Sequence, residues 1–426
     1  MSDTPEQASQ PVAGAAPESA SGTDRYQAFR HLGYRRYWSS RFANTFAAQI
    51  VSVAVGWQIY DISRDPFHLG LVGLTQFLPS LVLVLVTGAV ADRFGRRLIM
   101  ALADVLEAIC ALILLALTVI GTDSVWPFFP VLAVFGLARA FHGPASSALV
   151  TNVVPREAVA NAIAWNSSAW QTATIMGPVA GGLLYGVSPQ IAYSVAAVML
   201  FAGAVLAGLI PRPARSQARQ KVNLETLLAG FRYIWREKVV LGAISLDLFA
   251  VLLGGAVALL PVYARDILEL GPWGLGLLRA GPGIGAVLMA LWLTGKSIDN
   301  HAGYIMLACV GGFGLFTIVF GVSTIVWLSI LALALLGAAD MVSVYIRETL
   351  IQLWTPDDLR GRVNAVNMVF VGASNELGEF RAGTMAALIG VVPAVVFGGV
   401  GAIGVAALWV VLFPQLAKAK HLRGRD

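Results

Sequence analysis

The chain has 426 residues, of which 57% are apolar and only 12% charged, with 29 Lys and Arg against 24 Asp and Glu. A water-soluble protein of this length needs far more charge to cover its surface, which excludes a soluble enzyme or a nucleic-acid-binding domain. The small positive excess bears on membrane orientation rather than on an acidic partner.

Residues 1–24 are rich in Ala, Ser, Pro and Gln and have no apolar core. Such a segment cannot bury enough surface to order itself and does not read as a cleavable signal, so it is expected to be a disordered cytoplasmic tail. Twelve apolar blocks follow, at about 40–61, 69–91, 98–120, 127–150, 161–186, 190–210, 240–264, 273–295, 303–321, 325–350, 363–389 and 393–413. Spanning ~30 Å of hydrocarbon takes ~20 residues of helix. Backbone groups in lipid find no water, so each block must be helical. The expected fold class is an all-α membrane protein with twelve transmembrane helices. With the N-terminus inside, 23 Lys and Arg fall on the cytoplasmic side and two, Arg64 and Arg265, outside. That bias puts both termini in the cytoplasm. Tyr34, Tyr37, Trp38, Tyr60, Trp126, Trp235, Trp273 and Trp327 lie near block ends, where interfacial anchors are expected.

The first block carries a polar stripe, Thr45, Gln49, Ser52 and Gly56, on an otherwise apolar helix. It is expected to face a central cavity. Between the second and third blocks runs Gly88-Ala-Val-Ala-Asp92-Arg93-Phe-Gly95-Arg96-Arg97. A loop this tight is expected to set its two helices side by side and antiparallel. Its charges are expected to decide how their ends dock. Asp104 and Glu107 in the third block read as docking partners for Arg93, Arg96 or Arg97. Cys110 and Cys309 lie inside apolar blocks and are expected to pack as small hydrophobes.

The fourth block places Arg139, His142 or Gly143, and Ser146 on one helical face. Ionisable groups inside spans are costly and usually functional. The fifth block carries Gly177-Pro178-Val-Ala-Gly181-Gly182. Small residues there let a neighbouring helix approach, and Pro178 removes one helical hydrogen bond. Residues 211–239 are polar and basic, and apolar positions from Leu224 to Trp235 recur at helical spacing. That stretch reads as an amphipathic helix on the inner leaflet.

Asp247 lies in the seventh block, and Asp340, Ser343 and Arg347 form a stripe in the tenth. The eleventh carries Asn375, Glu376, Glu379 and Arg381. Glu376 and Glu379 share a face and suit a proton carrier, with Arg381 placed to counter their charge. The chain also reads as a duplication. At an offset of 201, Gly136 meets Gly337, Pro155 meets Pro356, Asn166 meets Asn367, Gly177 meets Gly378 and Gly182 meets Gly383. The same offset sets Asp340 on Arg139, opposite charges expected to face each other across the cavity. An offset of 207 sets Gly88 and Asp92 on Gly295 and Asp299. The expected organisation is therefore a tail (1–24), a six-helix bundle (25–210), a cytoplasmic linker (211–239), a second six-helix bundle (240–415) and a basic tail (416–426). Transporters built from two repeats hold substrate near the midplane between the halves.

The loop pattern Gly-x-x-x-Asp-Arg-x-Gly-Arg-Arg resembles the loop between helices 2 and 3 of the major facilitator superfamily, matching at every position. Arg139-x-x-x-Gly143 is similar to that superfamily's helix-4 motif, in which the arginine is thought to assist proton transfer. Gly177 to Gly182 resembles the helix-5 antiporter motif, with Ala173 replacing its upstream glycine. Thr226 to Tyr233, Ala256 to Pro261, Gly337 to Asp340 with Arg347, and Pro356 to Arg362 are similar to the siderophore-exporter and macrolide-efflux branch.

The resemblance implies a secondary active transporter of the inner membrane, not an enzyme, that exports a bulky organic molecule against protons by alternating access. An importer, a uniporter or a non-transporting sensor with the same fold is the other possibility. The implied switch loop is Gly88, Asp92, Arg93, Gly95, Arg96 and Arg97. Proton-coupling candidates are Arg139, Asp247, Asp340, Arg347, Glu376 and Glu379. The antiporter motif is Gly177, Pro178, Gly181 and Gly182. Cavity candidates are Thr45, Gln49, Ser52, His142, Ser146 and Ser343. The sequence shows no metal cluster, phosphate loop or nucleophile, so no cofactor is expected. The expected partners are a small organic substrate, protons and the lipid bilayer, with no nucleic acid and with function as a monomer.

Overall fold

The computed structural model describes residues 25–211, 224–295, 298 and 301–418. The tail expected at 1–24, most of the linker before residue 224 and the tail after 418 lie outside the described residues. All secondary structure among the described residues is helical. The first helices are α1 (Leu32–Ser63), α2 (Pro66–Phe94), α3 (Arg96–Ile120), α4 (Phe128–Val153), α5 (Val159–Val187) and α6 (Pro189–Gly208). After α7 (Leu224–Arg236) comes α8 (Lys238–Gly254), which continues through a 3-10 turn, the short α9 (Leu260–Val262) and a π turn to Ile267. The chain closes with α10 (Gly271–Leu293), α11 (Ala302–Val322), α12 (Val326–Trp354), α13 (Asp357–Ile389), α14 (Val391–Leu412) and α15 (Pro414–Ala417).

Nine described stretches are long and apolar enough to cross a membrane by length and composition. They lie in α2, α3, α4, α6, Lys238–Ile267, α10, α11, α12 and α14. The helices α1, α5 and α13 run to 32, 29 and 33 residues. They fall outside the nine because they are more polar: α1 and α13 carry charged and polar side chains along their length, and the first half of α5 carries Asn161, Asn166, Ser167, Ser168, Gln171 and Thr172. The helix α1 also starts at Leu32, earlier than its apolar block, so Arg35, Arg36 and Arg41 ride on the helix itself.

Turns are set by local chemistry. Arg64 takes a left-handed conformation to end α1, and the Asp65 side chain accepts the Phe67 N–H ahead of Pro66 to start α2. Gly95, at φ 88°, is the single residue between α2 and α3. Yet these two helices do not lie side by side. From Gly95 they diverge, α2 packing on α4 and α13, and α3 on α6 and α4. A pivot at one glycine leaves the angle open, and the faces that bury best decide it. The second glycine loop shows the same distinction. Gly295 has φ 83° beyond the end of α10, as Gly95 has beyond α2, whereas Gly88 lies inside α2. The pairing of Gly88 with Gly295 thus joins residues of different backbone role, and Asp299 is outside the described residues.

The 201-residue repeat recurs in how helices touch. A Cβ on Gly136 would come 2.1 Å from the Gln76 carbonyl oxygen, and one on Gly337 would come 2.0 Å from that of Pro282. Gly177 sits against Gln49 of α1, and Gly378 against Val251 and Leu252 of α8. These contacts join α4 to α2 and α12 to α10, then α5 to α1 and α13 to α8. Backbones this close leave no room for any side chain, so the glycines fix the crossings.

Buried apolar residues divide unevenly between the two ends of the molecule. At the end carrying Ser63, one cluster joins Val53, Trp57, Phe128 and Tyr193 to Leu259, Tyr263, Leu275 and Ala386. At the end carrying Gly95, Tyr34, Tyr37, Met100 and Leu149 form one cluster, and Val239, Leu246, Met306 and Leu350 form another. The helix α7 packs on α13 with Ile234 buried, and Tyr233 donates a hydrogen bond to the Trp354 carbonyl at the end of α12. Trp126, Trp235, Trp273 and Trp327 are exposed, as anchors must be. Tyr34, Tyr37 and Tyr60 are not anchors, because they are buried with their hydroxyls on Ala162, Ser146 and Asp266.

Candidate functional site

The charged turn fastens to other helices than the sequence suggested. Arg96 donates to the Ala148 carbonyl (3.0 Å) and to Asn152 (3.2 Å) at the end of α4. Arg97 donates to the Ile210 carbonyl beyond α6 at 2.6 Å, and Arg93 lies over the Phe94 ring. The Asp92 side chain is outside the described residues. Asp104 and Glu107 are not partners of these arginines. Both sit deep in the helix packing, fully buried, and turn toward α1 and α4.

There they form a network. Asn44 of α1 donates to Asp104 Oδ1 (2.8 Å) and to Glu107 Oε2 (2.9 Å), so a single amide bridges the two carboxyl groups. Ser40 donates to Asp104 Oδ2 at 3.3 Å, and His142 Nε2 of α4 lies 3.2 Å from Asp104 Oδ1. His142 and Ser146, expected in the cavity, are therefore buried between α4, α1 and α3. Arg139, one turn away, is exposed, and its charge acts on Glu107 and on Glu376 of α13. It does not face Asp340, whose charged neighbours are Asp247 and Arg347.

The motif on α5 makes two contacts. Gly177 and Gly181 press on Gln49 and Ile50 of α1. On the other side, a Cβ on Gly182 would lie 2.5 Å from the Pro272 carbonyl of α10, and one on Gly276 would lie 2.5 Å from the Pro178 carbonyl. Beside this seam Arg279 of α10 donates to the Ser52 hydroxyl. Thr45 of the same stripe bonds back to the Arg41 carbonyl.

The second seam joins α13 to α2. A Cβ on Gly73 would meet Glu376 Oε2 at 2.7 Å and Glu379 Oε2 at 3.1 Å, so both carboxyl groups lie against the α2 backbone. The charge of Arg279 acts on Glu379. Arg381 has a different task from the one expected. Its guanidinium donates to the Leu252 (2.9 Å) and Gly255 (3.4 Å) carbonyls, capping the broken end of α8. Asp247 and Arg347 form a buried ion pair, with Glu348 3.8 Å from Arg347 Nε. Asp247, Asp340, Ser343 and Cys309 line a small cavity beside it.

At the Ser63 end a charge cluster crosses between the two repeats. Asp61 pairs with Arg265, Tyr60 donates to Asp266, and Arg64 Nη1 lies 3.4 Å from Asp266 Oδ1. Arg265 also stacks over Trp57 at 5.5 Å.

Comparison with known proteins accounts for this architecture. Residues 23–423 match the family described as transmembrane secretion effector. The chain belongs to that family of major facilitator transporters. It is 26% identical to the enterobactin exporter EntS of Escherichia coli K12 over 403 residues, 92% of this chain and 94% of the relative. The EntS protein of Shigella boydii serotype 18 is 25% identical over 401 residues, with the same coverage. Among solved structures, a POT family transporter in complex with 5-aminolevulinic acid superposes with a TM-score of 0.69 at 12% identity, covering 91% of this chain and 97% of its own. A bacterial homologue of the human lysosomal transporter Spinster gives 0.68 at 14% identity, covering 93% and 97%. These structures share the fold.

Two features of this family member escape a sequence reading. Arg279 was visible only as a charge inside a span, and its partners Ser52 and Glu379 come from α1 and α13. The charge cluster at the Ser63 end left a faint signal, Asp61-x-x-Arg64 and Arg265-Asp266 at the ends of the first and seventh blocks.

Proposed function

We propose that this chain is a secondary active exporter, a proton-coupled antiporter that moves a bulky organic molecule, siderophore-like or drug-like, by alternating access. The observation that carries this reading is the split core. The two repeats share one apolar cluster and an ion-pair cluster at the Ser63 end, but have separate clusters at the Gly95 end. That is the arrangement of two bodies rocking about a midplane site, closed at one end and parted at the other.

The bodies are two six-helix bundles, 25–210 and 240–415, joined by the linker 211–239 with α7 along the inner leaflet. They comprise the nine apolar spans together with α1, α5 and α13, twelve in all. The bias of Lys and Arg puts the Gly95 end and both termini in the cytoplasm of a cell with an inner membrane. The parted end then faces the cytoplasm, the side from which an exporter loads. The EntS relatives support an organic cargo of siderophore size. Asp340, Glu376 and Glu379 are the proton carriers of this reading, since Asp247 is engaged by Arg347. The protein acts as a monomer.

The test is counterflow in proteoliposomes with an imposed proton gradient, using a catecholate siderophore and a lipophilic cationic dye as probes. Export of either probe that an uncoupler abolishes supports the reading. Transport indifferent to the gradient makes the protein a uniporter, inward accumulation makes it an importer, and binding without movement makes it a sensor. Maleimide labelling of Gly22→Cys or Arg423→Cys from outside intact cells would overturn the orientation.

A further inference from the structure

We propose that Asp104, Glu107 and His142 form a proton-holding site inside the first repeat, separate from the carboxylates of the second. The proposal rests on the proton-coupled reading for its part in transport, but not for its existence as a site.

Two carboxyl groups one turn apart on α3 are fully buried and share the single amide of Asn44. The other direct partners are neutral, Ser40 on Asp104 Oδ2 and the imidazole of His142 beside Asp104 Oδ1. Two carboxylates whose hydrogen-bond partners are all neutral are costly to keep ionised in such a place. The second observation is an orphan atom. Glu107 Oε1 is buried and accepts no hydrogen bond. A carboxylate oxygen with no donor is an expensive group to bury, whereas a carboxylic acid O–H at that position carries no charge.

The charged and titratable groups facing this site come from three helices. They are Arg41 of α1, Arg139 of α4 and Cys110 of α3, while α6 contributes only the backbone at Gly203, next to Asp104. Arg139 is the charge shared between the two repeats. It is exposed, and its charge acts on Glu107 in its own repeat and on Glu376 in the other. Rocking of the repeats changes its distance to Glu376 but not the identity of its helix neighbours. When Arg139 turns to Glu107, the carboxylate is compensated and the proton leaves to the parted, cytoplasmic end. When Arg139 is drawn to Glu376, the Glu107 carboxylate takes up a proton delivered through water from the opposite, Ser63 end, while the imidazole of His142 stays neutral beside Asp104. One guanidinium thus couples a proton in the first repeat to the position of the second.

The experiment uses the full-length protein in lipid nanodiscs and in proteoliposomes. Infrared difference spectra recorded across pH should contain a buried carboxylic-acid C=O band that Glu107→Gln removes. The band should be shifted, not removed, by His142→Gln. In proteoliposomes the stimulation of dye counterflow by the proton gradient should be lost in Glu107→Gln, while dye binding is kept. Asp104→Asn is read only if it purifies as a single species, and Glu107→Gln, with its Asn44 bond preserved, serves where it does not. An unchanged infrared band overturns the site. Loss of the band with full gradient stimulation retained overturns its part in coupling. If the parent protein shows the band but no gradient stimulation, proton antiport fails as the function while the proton-holding site stands.

Discussion

Gly182 of α5 and Gly383 of α13 occupy matching places in two seams between the repeats. A Cβ on Gly182 would lie 2.5 Å from the Pro272 carbonyl and 3.2 Å from the Gly276 backbone. A Cβ on Gly383 would lie 2.8 Å from both the Pro66 carbonyl and the Gly70 Cα. The first glycines are 201 residues apart and their partners 206 apart, so the two seams are copies of one contact.

Because the seams are glycine against backbone, a side chain there must force the helices apart. Gly182→Val and Gly383→Val are each expected to cost about 1–3 kcal/mol of stability through overpacking. Thermal unfolding in detergent should show both losses, and transport should fall more steeply than folded yield. Gly186, with nothing within 4 Å of a built Cβ, is the control position. Equal damage from Gly186→Val would mean the seams are not special.

The charge cluster at the Ser63 end is half exposed, so each pair is worth only ~0–1 kcal/mol. That is still enough to change a two-state ratio several-fold. Asp61→Asn is expected to raise maleimide labelling of Val262→Cys from outside, in a background where Cys110 and Cys309 are serine. Val262 is buried with Tyr60 and Leu69 in this structure. Labelling that does not change would show that the ion pairs ornament a seal made by apolar packing.

Arg347 and Asp247 are 4% and 8% exposed. Truncating one partner leaves a buried charge, so Arg347→Ala is expected to destabilise by about 3–5 kcal/mol. The double variant Arg347→Met with Asp247→Leu should recover most of that loss. Thermal melts of the three proteins decide it, and a double variant no better than the single one would rule out the buried charge as the cause.

Asp92→Asn is expected to lower the transport rate while leaving the melting temperature near that of the parent, because charge pairs at the ends of helices next to a turn typically contribute only ~0–1 kcal/mol to folding. Arg97→Ala, which loses the bond to the Ile210 carbonyl, should behave alike. Wild-type transport by both variants would remove the turn from the conformational mechanism.

The sequence by itself determined the helices, their polar stripes and the duplication. Helix in lipid follows from composition alone, since no other backbone satisfies its own hydrogen bonds there. Identical glycines at one offset carried the repeat, because a crossing of two backbones needs the same small residue in each copy. The tertiary structure decided which helix each charge meets. Asp104 and Glu107 lie seven or more residues beyond the arginines of the turn, on a helix whose rotation the local sequence does not specify. Packing of α3 on α6 and α4 turned them to Asn44 and His142 instead. Arg381, five residues from Glu376 and so on a different face of α13, was carried to the broken end of α8 by free carbonyls that no motif announces. Periodicity gives a side chain's place on its own helix, and only the packing of the other helices gives it a partner.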